Sequence, residues 1–240
     1  MYKLGDSPYF YDDFVENKDS EIFAHDPHLG SDYIYNKKPL VEIWCEIIGI
    51  QYNNSLPKIY FTQREEEVAW RLLKSDRPLL LIQGNEVFPR FPNLNFDWTK
   101  DVPIEILQKI SDVAIKKGYL VLQLRNQNQP GIMGATTLSL NLRVLLAGLK
   151  NINKILVVDS YISHACAAVN KQAVVTFLST SPETNSYSLH KNIKGKITEN
   201  IKDTLDTYSP FFDIKGKILE RPVSMRGTYN ADEIIKVLDL

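Results

Sequence analysis

Residues 157–168 read Val157-Val-Asp-Ser-Tyr-Ile-Ser-His-Ala-Cys-Ala-Ala168, and this stretch decides the fold. An apolar run, Ile155 to Val158, stops at Asp159-Ser160. A helical pattern of small residues follows at once (Ala165, Cys166, Ala167, Ala168), with His164 in its first turn. A buried strand that ends at a helix N-terminus is where an open α/β sheet takes ligands. The amides there point outward and the helix dipole favours an anion, so the expected ligand carries phosphate.

Working outward, the same alternation repeats. Pro78-Leu-Leu-Leu-Ile-Gln83 is apolar throughout, as expected of a strand buried on both faces of a parallel sheet, and Gly84-Asn85 ends it. Val102 to Lys117 carries Ile104, Leu107, Ile110, Val113 and Ala114 at helical spacing, and Gly118 closes it. Tyr119 to Leu124 is the next strand, a helix is expected from about Ser139 to Leu149, and Ala173 to Leu178 is a further strand. Four apolar strands alternating with helices predict βαβ units and a doubly wound parallel sheet with right-handed crossovers. Polar residues fall just past the strand ends: Gly84 and Asn85, Gln123 and Arg125, Asp159 and Ser160, Thr180 and Ser181. Strand ends of one kind share one edge, so these loops are expected to line one cleft.

Upstream, Leu40, Ile43, Trp44, Ile47 and Ile48 have helical spacing and Gly49 supplies a stop. Lys58-Ile-Tyr-Phe61 reads as a short strand. Thr62-Gln-Arg-Glu65 is a capping box opening a helix whose buried face is Val68, Ala69, Leu72 and Leu73. Residues 1 to about 40 hold no helix or strand period. His25, Asp26, His28 and Asp32 cluster there, and read as a turn-rich loop rather than a metal site. From Pro182 to Arg226 the chain is polar, with Tyr187, Tyr208, Phe211 and Phe212 as aromatic anchors. Ala231 to Leu240 ends it as a helix capped by Asn230, whose apolar face is expected to find residues 40–50 or a second subunit.

The 240 residues suffice for one large domain, or one and part of a second, and 44% hydrophobic residues allow a substantial core. A net charge of −1 without a basic block argues against a nucleic-acid partner. Cys45 and Cys166 sit in apolar surroundings and are expected to be reduced thiols, and no Cys/His spacing suggests zinc. The Met1–Asp6 segment lacks the apolar run of a signal peptide, and the apolar runs are too short to span a bilayer, so a cytoplasmic location is expected.

Asp159, Ser160 and His164 invite a hydrolase reading. A triad requires the histidine to reach the serine while the carboxylate orients it from behind, which one strand-to-helix turn does not readily allow. No Gly-x-Ser-x-Gly elbow is present. No Gly-x-Gly-x-x-Gly follows a strand and no P-loop occurs, so neither a nicotinamide nor a flavin cofactor is expected. Binding fits better. On that reading Ser160 and the following amides are expected to hold a diphosphate, and His164 to donate to a phosphate oxygen or a leaving group; the bland alternatives are a helix histidine packed on the sheet and an N-cap carboxylate at Asp159. Arg125 is a candidate phosphate or base contact, or an exposed loop arginine. Phe88, Phe91, Phe96 and Trp98 floor a sugar or base pocket, or form a loop mini-core.

Val157 to Phe177 resembles the Asp-Ser-Gly-x-x-His-x-Ala-Ala-x-Gly-x-Pro-x-Val motif of family 9 glycosyltransferases, heptosyltransferase-like enzymes of the GT-B fold. The resemblance continues in order. Leu79 to Asn85 is similar to the first strand and glycine of their C-terminal domain, and Phe96-Asp-Trp-Thr-Lys100 to their Lys-x-Trp-Pro segment. Thr137 to Arg143 is similar to the helix before the key strand, and Ser179-Thr-Ser-Pro182 with His190-Lys-Asn-Ile193 to the loop after it.

The resemblance implies a Rossmann-like parallel sheet flanked by helices, the C-terminal half of a GT-B fold, over residues 61–240. Residues 1–60 would be an irregular and helical N-terminal extension. It further implies a nucleotide-sugar donor, a glycan or lipid-linked saccharide acceptor, hexosyl or heptosyl transfer with inversion, and no metal or other cofactor. The binding set it suggests is Gly84, Asn85, Gln123, Arg125, Asp159, Ser160, Tyr161, His164 and Thr180. Two departures stand out: Tyr161 and Asn170 occupy positions where the family has glycine. The family's N-terminal domain carries the acceptor site and the catalytic carboxylate, yet only about 60 residues precede the C-terminal domain here. The general base therefore has no assigned residue, and Asp12, Asp13, Asp26 and Asp32 are candidates by type alone. A homo-oligomer or a partner chain would supply the acceptor half. The second reading is a non-catalytic protein that binds a nucleotide or nucleotide sugar through a degenerate transferase fold.

Overall fold

The computed structural model describes residues 27, 30–85, 100–178, 180–196 and 228–240. Six strands form one all-parallel sheet: β1 Leu79–Gln83, β2 Leu120–Gln123, β3 Thr136–Thr137, β4 Lys154–Val158, β5 Val174–Phe177 and β6 Lys191–Lys194. Their order is β3-β2-β1-β4-β5-β6. That is the doubly wound order, in which the chain runs outward in one direction from β1 and in the other from β4. The reversal point therefore lies between β1 and β4, where Ile82 pairs with Leu156 and Gln83 with Val157.

The helices are α1 Ser31–Ile34, α2 Leu40–Ile47, α3 Gln63–Leu73, α4 Ile104–Lys116, α5 Leu142–Gly148, α6 Tyr161–Ala168, α7 Pro182–Asn185 and α8 Ala231–Val237. Alternate side chains of each strand feed two cores. Leu80, Ile82, Val121, Leu156 and Val158 pack against Leu107, Ile110 and Ala114 of α4 and Ile234 of α8. Leu79, Leu81, Leu122, Ile155 and Val157 pack against Leu73 of α3, Leu145 of α5, and Ile162, Ala165 and Cys166 of α6. Burial on both faces explains why the central strands read as unbroken apolar runs. Burial also pushes the Cys166 thiol up to about 12.

The local signals hold where they have a mechanism. Thr62 Oγ accepts from Glu65 N–H and the Glu65 carboxylate accepts from Thr62 N–H, closing the capping box of α3. Gly118, with φ +89°, ends α4, and Asn170, at the position where the family has glycine, takes φ +55° after α6.

Five local expectations are corrected. Residues 58–61 are not a strand: Tyr60 C=O accepts from Arg143, and Phe61 lies under the Arg143 and Lys150 cations, 4.9 and 5.6 Å from its ring centre. Leu72 is exposed, so the buried stripe of α3 is narrower than its spacing suggests. The helix expected from Ser139 starts at Leu142, because Thr136–Thr137 joins the sheet as β3 and Asn141 caps the helix through Arg143 N–H. The segment after Pro182 contains an edge strand, β6, of which only Ile193 is buried. The closing helix α8, expected to seek residues 40–50 or a second subunit, packs on α4 instead, with Lys109 2.9 Å from Asp232.

Candidate functional site

The carboxyl ends of β1 and β4 meet at the reversal point, and buried polar side chains join them. Gln83, the last residue of β1, is fully buried. Its Oε1 accepts from Ser160 Oγ at 2.8 Å and its Nε2 donates to Asn85 C=O at 3.2 Å. Asn85 Nδ2 in turn donates to Asp101 Oδ2 at 2.9 Å. A hydrogen-bonded line thus runs from Asp101 through Asn85 and Gln83 to Ser160, the N-cap of α6.

Ser160 is an N-cap because its hydroxyl accepts from Ile162 N–H at 3.3 Å. Ser163 N–H bonds to Ser160 C=O at 3.0 Å, so two of the first three amides of α6 are engaged locally. The Ser160 hydroxyl serves as both acceptor and donor inside the protein. Asp159 is buried, and its Oδ2 accepts from Thr180 Oγ at 2.7 Å, tying the β4 end to the loop after β5. Tyr161 and His164 are exposed on the outer side of the same turn.

His164 Nδ1 lies 3.1 Å from the Tyr187 hydroxyl. Its residue surface is exposed while its imidazole sits among enough protein atoms to be desolvated. Burial pushes the imidazole below its ordinary value, Asp159 opposes that and Lys100 adds to it. His190, 8% exposed, receives Ala173 N–H on Nδ1 at 3.3 Å and faces Ser163 C=O with Nε2 at 2.9 Å. Burial holds it below the usual histidine range.

Gly84 is small because α4 lies against it: a Cβ there would stand 2.2 Å from Leu107 Cδ1. Gln123 is buried and clamps the next loop, donating to Pro130 C=O at 3.0 Å and accepting from Ile132 N–H at 2.8 Å. Arg125 closes the same loop, bonding Thr137 Oγ at 3.2 Å and Gln129 C=O at 2.9 Å. Both are loop anchors in this geometry. Beside them a cavity of about 370 Å³ opens at the carboxyl end of β2 and β3, lined by Arg125, Asn126, Gln127, Thr137, Leu138 and Ser139. Its size is that of a small-molecule site. A smaller cavity of about 160 Å³ lies at the opposite edge of the sheet. There Lys154 and Lys191 bond the carbonyls that close α8, so the cavity reads as the covered end of a helix.

The nine expected binding residues thus gather at one edge in two groups. Gly84, Asn85, Asp159, Ser160, Tyr161, His164 and Thr180 surround the β1/β4 reversal, and Gln123 and Arg125 stand at the β2 end. Sequence reading missed Gln83, Tyr187 and His190. Gln83 was the one polar residue closing an apolar strand, which is the signal that marks it; Tyr187 was read only as an aromatic anchor, and His190 only as part of the His190-Lys-Asn-Ile193 segment similar to the family's loop after the key strand. Phe88, Phe91, Phe96, Trp98, Asp12, Asp13, His25, Asp26, His28, Ser179, Tyr208, Phe211 and Phe212 lie outside the described residues. Asp32 is described and pairs with Lys37 and Lys38 at 3.4 and 3.3 Å. Among the described residues no three His, Cys, Asp or Glu gather as a metal site, and no helix is long and apolar enough to cross a membrane.

No family model and no curated protein matches the chain. Among solved structures, the glycosyl transferase family 9 protein from Veillonella parvula superposes with a TM-score of 0.56 at 15% identity, over 85% of this chain and 60% of that one. The ADP-heptose lps heptosyltransferase II of E. coli gives 0.44 at 17% identity, over 67% of this chain and 55% of that one. The E. coli heptosyltransferase WaaC with ADP gives 0.43 at 14%, over 73% and 55%. The chain spans 60% or less of the length of each of these relatives. The resemblance read in residues 157–177 and the Veillonella match point to one architecture: the chain has an α/β Rossmann-like fold shared with a family 9 glycosyltransferase.

Proposed function

We propose that the chain is a glycosyltransferase-like protein that binds a nucleotide-diphosphate sugar at the carboxyl edge of β1 and β4. The observation that carries this reading is a coincidence of position. The Asp159-Ser160…His164 turn, picked out by sequence alone, stands at the reversal point of a β3-β2-β1-β4-β5-β6 sheet, where folds of this order bind nucleotides. The diphosphate meets the first turn of α6, with Tyr161 and His164 as its outward groups and Asp159 and Thr180 bracing the turn. Gly84, Asn85 and Ser160 shape the floor. The base and ribose take the cavity beside Arg125 and Gln123.

On this reading residues 61–240 are the donor-binding unit. Transfer is metal-independent and inverting, with a hexosyl or heptosyl group passed to a glycan or lipid-linked saccharide. Residues 1–60 are part of, or a linker to, the acceptor side. The segment touches the edge in question, since Thr184 Oγ donates to Asn36 Oδ1 at 3.0 Å.

One observation favours the alternative, a binding protein without transfer chemistry. The carboxylates described at this edge, Asp101, Asp159 and Glu183, each accept a hydrogen bond from a neighbour (Asn85, Thr180 and Ser181), so each is used in holding the edge together. Thermal unfolding with ADP, UDP and GDP sugars separates the cases. A transferase gives ligand-dependent stabilisation together with turnover that Asp159→Ala or His164→Ala abolishes. A binder gives stabilisation alone. No shift with any nucleotide or nucleotide sugar rejects both.

A further inference from the structure

Tyr187 stands between the two described histidines. Its ring meets that of His164 edge-on, with centroids 5.6 Å apart at 86°, and that of His190 at 5.8 Å and 89°. Both ring nitrogens of His190 are held by main chain, Nδ1 by Ala173 N–H and Nε2 by Ser163 C=O. Since Ser163 immediately precedes His164, His190 pins the very turn that presents His164. Tyr187 packs between the two rings with its hydroxyl on His164 Nδ1.

That bond has two ways to place its proton. Either the phenol donates to a bare Nδ1, or Nδ1–H donates to the phenol oxygen. Among the described residues His164 Nδ1 is the acceptor within reach of the phenol proton. Tyr187 as a residue is half-buried, and donating into that nitrogen gives its hydroxyl proton a partner inside the protein. Donation into Nδ1 leaves the imidazole proton on Nε2.

We propose that Tyr187 is a positioning residue that locks His164 in the Nε2–H tautomer, so that the turn offers a neutral N–H donor to an anionic oxygen. The identity of that oxygen rests on the nucleotide-sugar reading of this edge; the tautomer rests on the Tyr187 geometry alone. The groups facing the imidazole are Asp159 from β4, Lys100 ahead of α4, and Tyr187 and His190 from the loop before β6. A neutral donor stabilises charge appearing on a leaving diphosphate without adding a cation that would hold the product in place.

Imidazole nitrogen spectra of the full chain at neutral pH test this, with His164→Gln identifying the resonances of interest among four histidines. The expected wild-type pattern is a protonated Nε2 and a bare Nδ1 at His164. Tyr187→Phe keeps the ring and removes the hydroxyl, and is expected to turn the single tautomer into a mixture while His190 keeps its own Nε2–H pattern. A protonated Nδ1 in the wild type overturns the proposal, as does an unchanged tautomer in Tyr187→Phe. The wild-type spectrum decides the tautomer even if the variant folds poorly, and neither result needs a ligand. Titration with ADP, UDP or GDP forms the second arm. The nucleotide reading expects the His164 Nε2 resonance to move and Tyr187→Phe to bind roughly fivefold more weakly. Silence in every titration overturns the nucleotide reading and leaves the tautomer result standing.

Discussion

Ser160 Oγ donates to Gln83 Oε1 at 2.8 Å, and this bond bridges the two strands at which the sheet changes direction. Gln83 is the last residue of β1 and Ser160 the first beyond β4 and its Asp159, so one side-chain contact sets the height of α6 against the floor of the cleft. Gln83→Leu preserves bulk and removes both bonds of the amide, leaving the Ser160 hydroxyl and the Asn85 carbonyl without their partners. Each buried orphan costs about 1–3 kcal/mol. The expected result is a clearly lowered urea midpoint, and Ser160→Ala is expected to cost a comparable amount, because it removes the N-cap of α6 and leaves the buried Gln83 Oε1 without its donor. Wild-type stability in Gln83→Leu would show that the bond does not hold α6.

Gly84 and Leu107 make the second test. A Cβ at residue 84 would stand 2.2 Å from Leu107 Cδ1, well inside contact distance. Gly84→Ala therefore forces the buried Leu107 side chain to shift, and α4 or the β1 end with it where the core leaves it no room, at an expected cost of about 1–3 kcal/mol. Adding Leu107→Ala removes the obstructing carbons. The double variant should be more stable than the sum of the two single losses predicts, as measured by a double-mutant cycle in urea. Simple additivity would mean that the backbone at 84 relaxes without touching α4.

His190 gives the chain a pH limit with a definite sign. In the folded protein Nδ1 accepts Ala173 N–H, which an imidazolium cannot do, and burial lowers its pKa from the ordinary 6.5. A base whose folded value is depressed binds its proton more readily when unfolded. Its contribution is fully present above about pH 6.5 and declines as the pH falls from there toward the folded value. Urea midpoints of the wild type should therefore fall from pH 7.5 to 5.5, and His190→Gln should flatten that part of the slope while starting from a lower midpoint. An equal slope in both proteins would assign the acid sensitivity elsewhere.

The sheet and its edge were legible because their causes are local. Leu79 to Ile82 is apolar at every position, and only a strand covered on both faces needs that; Thr62-Gln-Arg-Glu65 contains both halves of its cap. The Asp159-Ser160 turn was legible as a strand-to-helix junction, but the internal use of the Ser160 hydroxyl was not, since its partner Gln83 is 77 residues away. Arg125 reads in sequence as a phosphate or base contact or an exposed loop arginine, and its role as a loop clamp was not legible for the same reason: carbonyl acceptors leave no mark in composition. Strand β3 is two exposed threonines and β6 has one buried residue, so neither carries an apolar pattern, and both exist through pairing with a neighbour. Lys58-Ile-Tyr-Phe61 fails in the opposite way. It has strand composition, yet the edge it would need is not beside it.

What holds residues 58–61 is Arg143, and this yields the last prediction. Its guanidinium bonds Glu65 Oε1 at 2.8 Å and Tyr60 C=O at 2.7 Å, and lies 4.9 Å from the Phe61 ring centre. Glu65 therefore has two duties, capping α3 and receiving Arg143. The Arg143 bond and the Thr62 amide hold its carboxyl down to about 2, against an ordinary 4.5. A carboxylate depressed in the folded state contributes stability above its unfolded value and loses it as the pH falls toward the folded one, here between about 4.5 and 2. Arg143→Leu removes the first cause while leaving the capping box. It is expected to raise the Glu65 midpoint toward the ordinary value, as read by carboxyl carbon shifts, and to speed proteolysis within residues 50–61, because the strap loses its carbonyl anchor. Glu65→Gln should loosen the strap and weaken the cap together. If Arg143→Leu left both the Glu65 titration and the cleavage rate unchanged, the strap would be held by Ile59 and Phe61 packing rather than by the guanidinium.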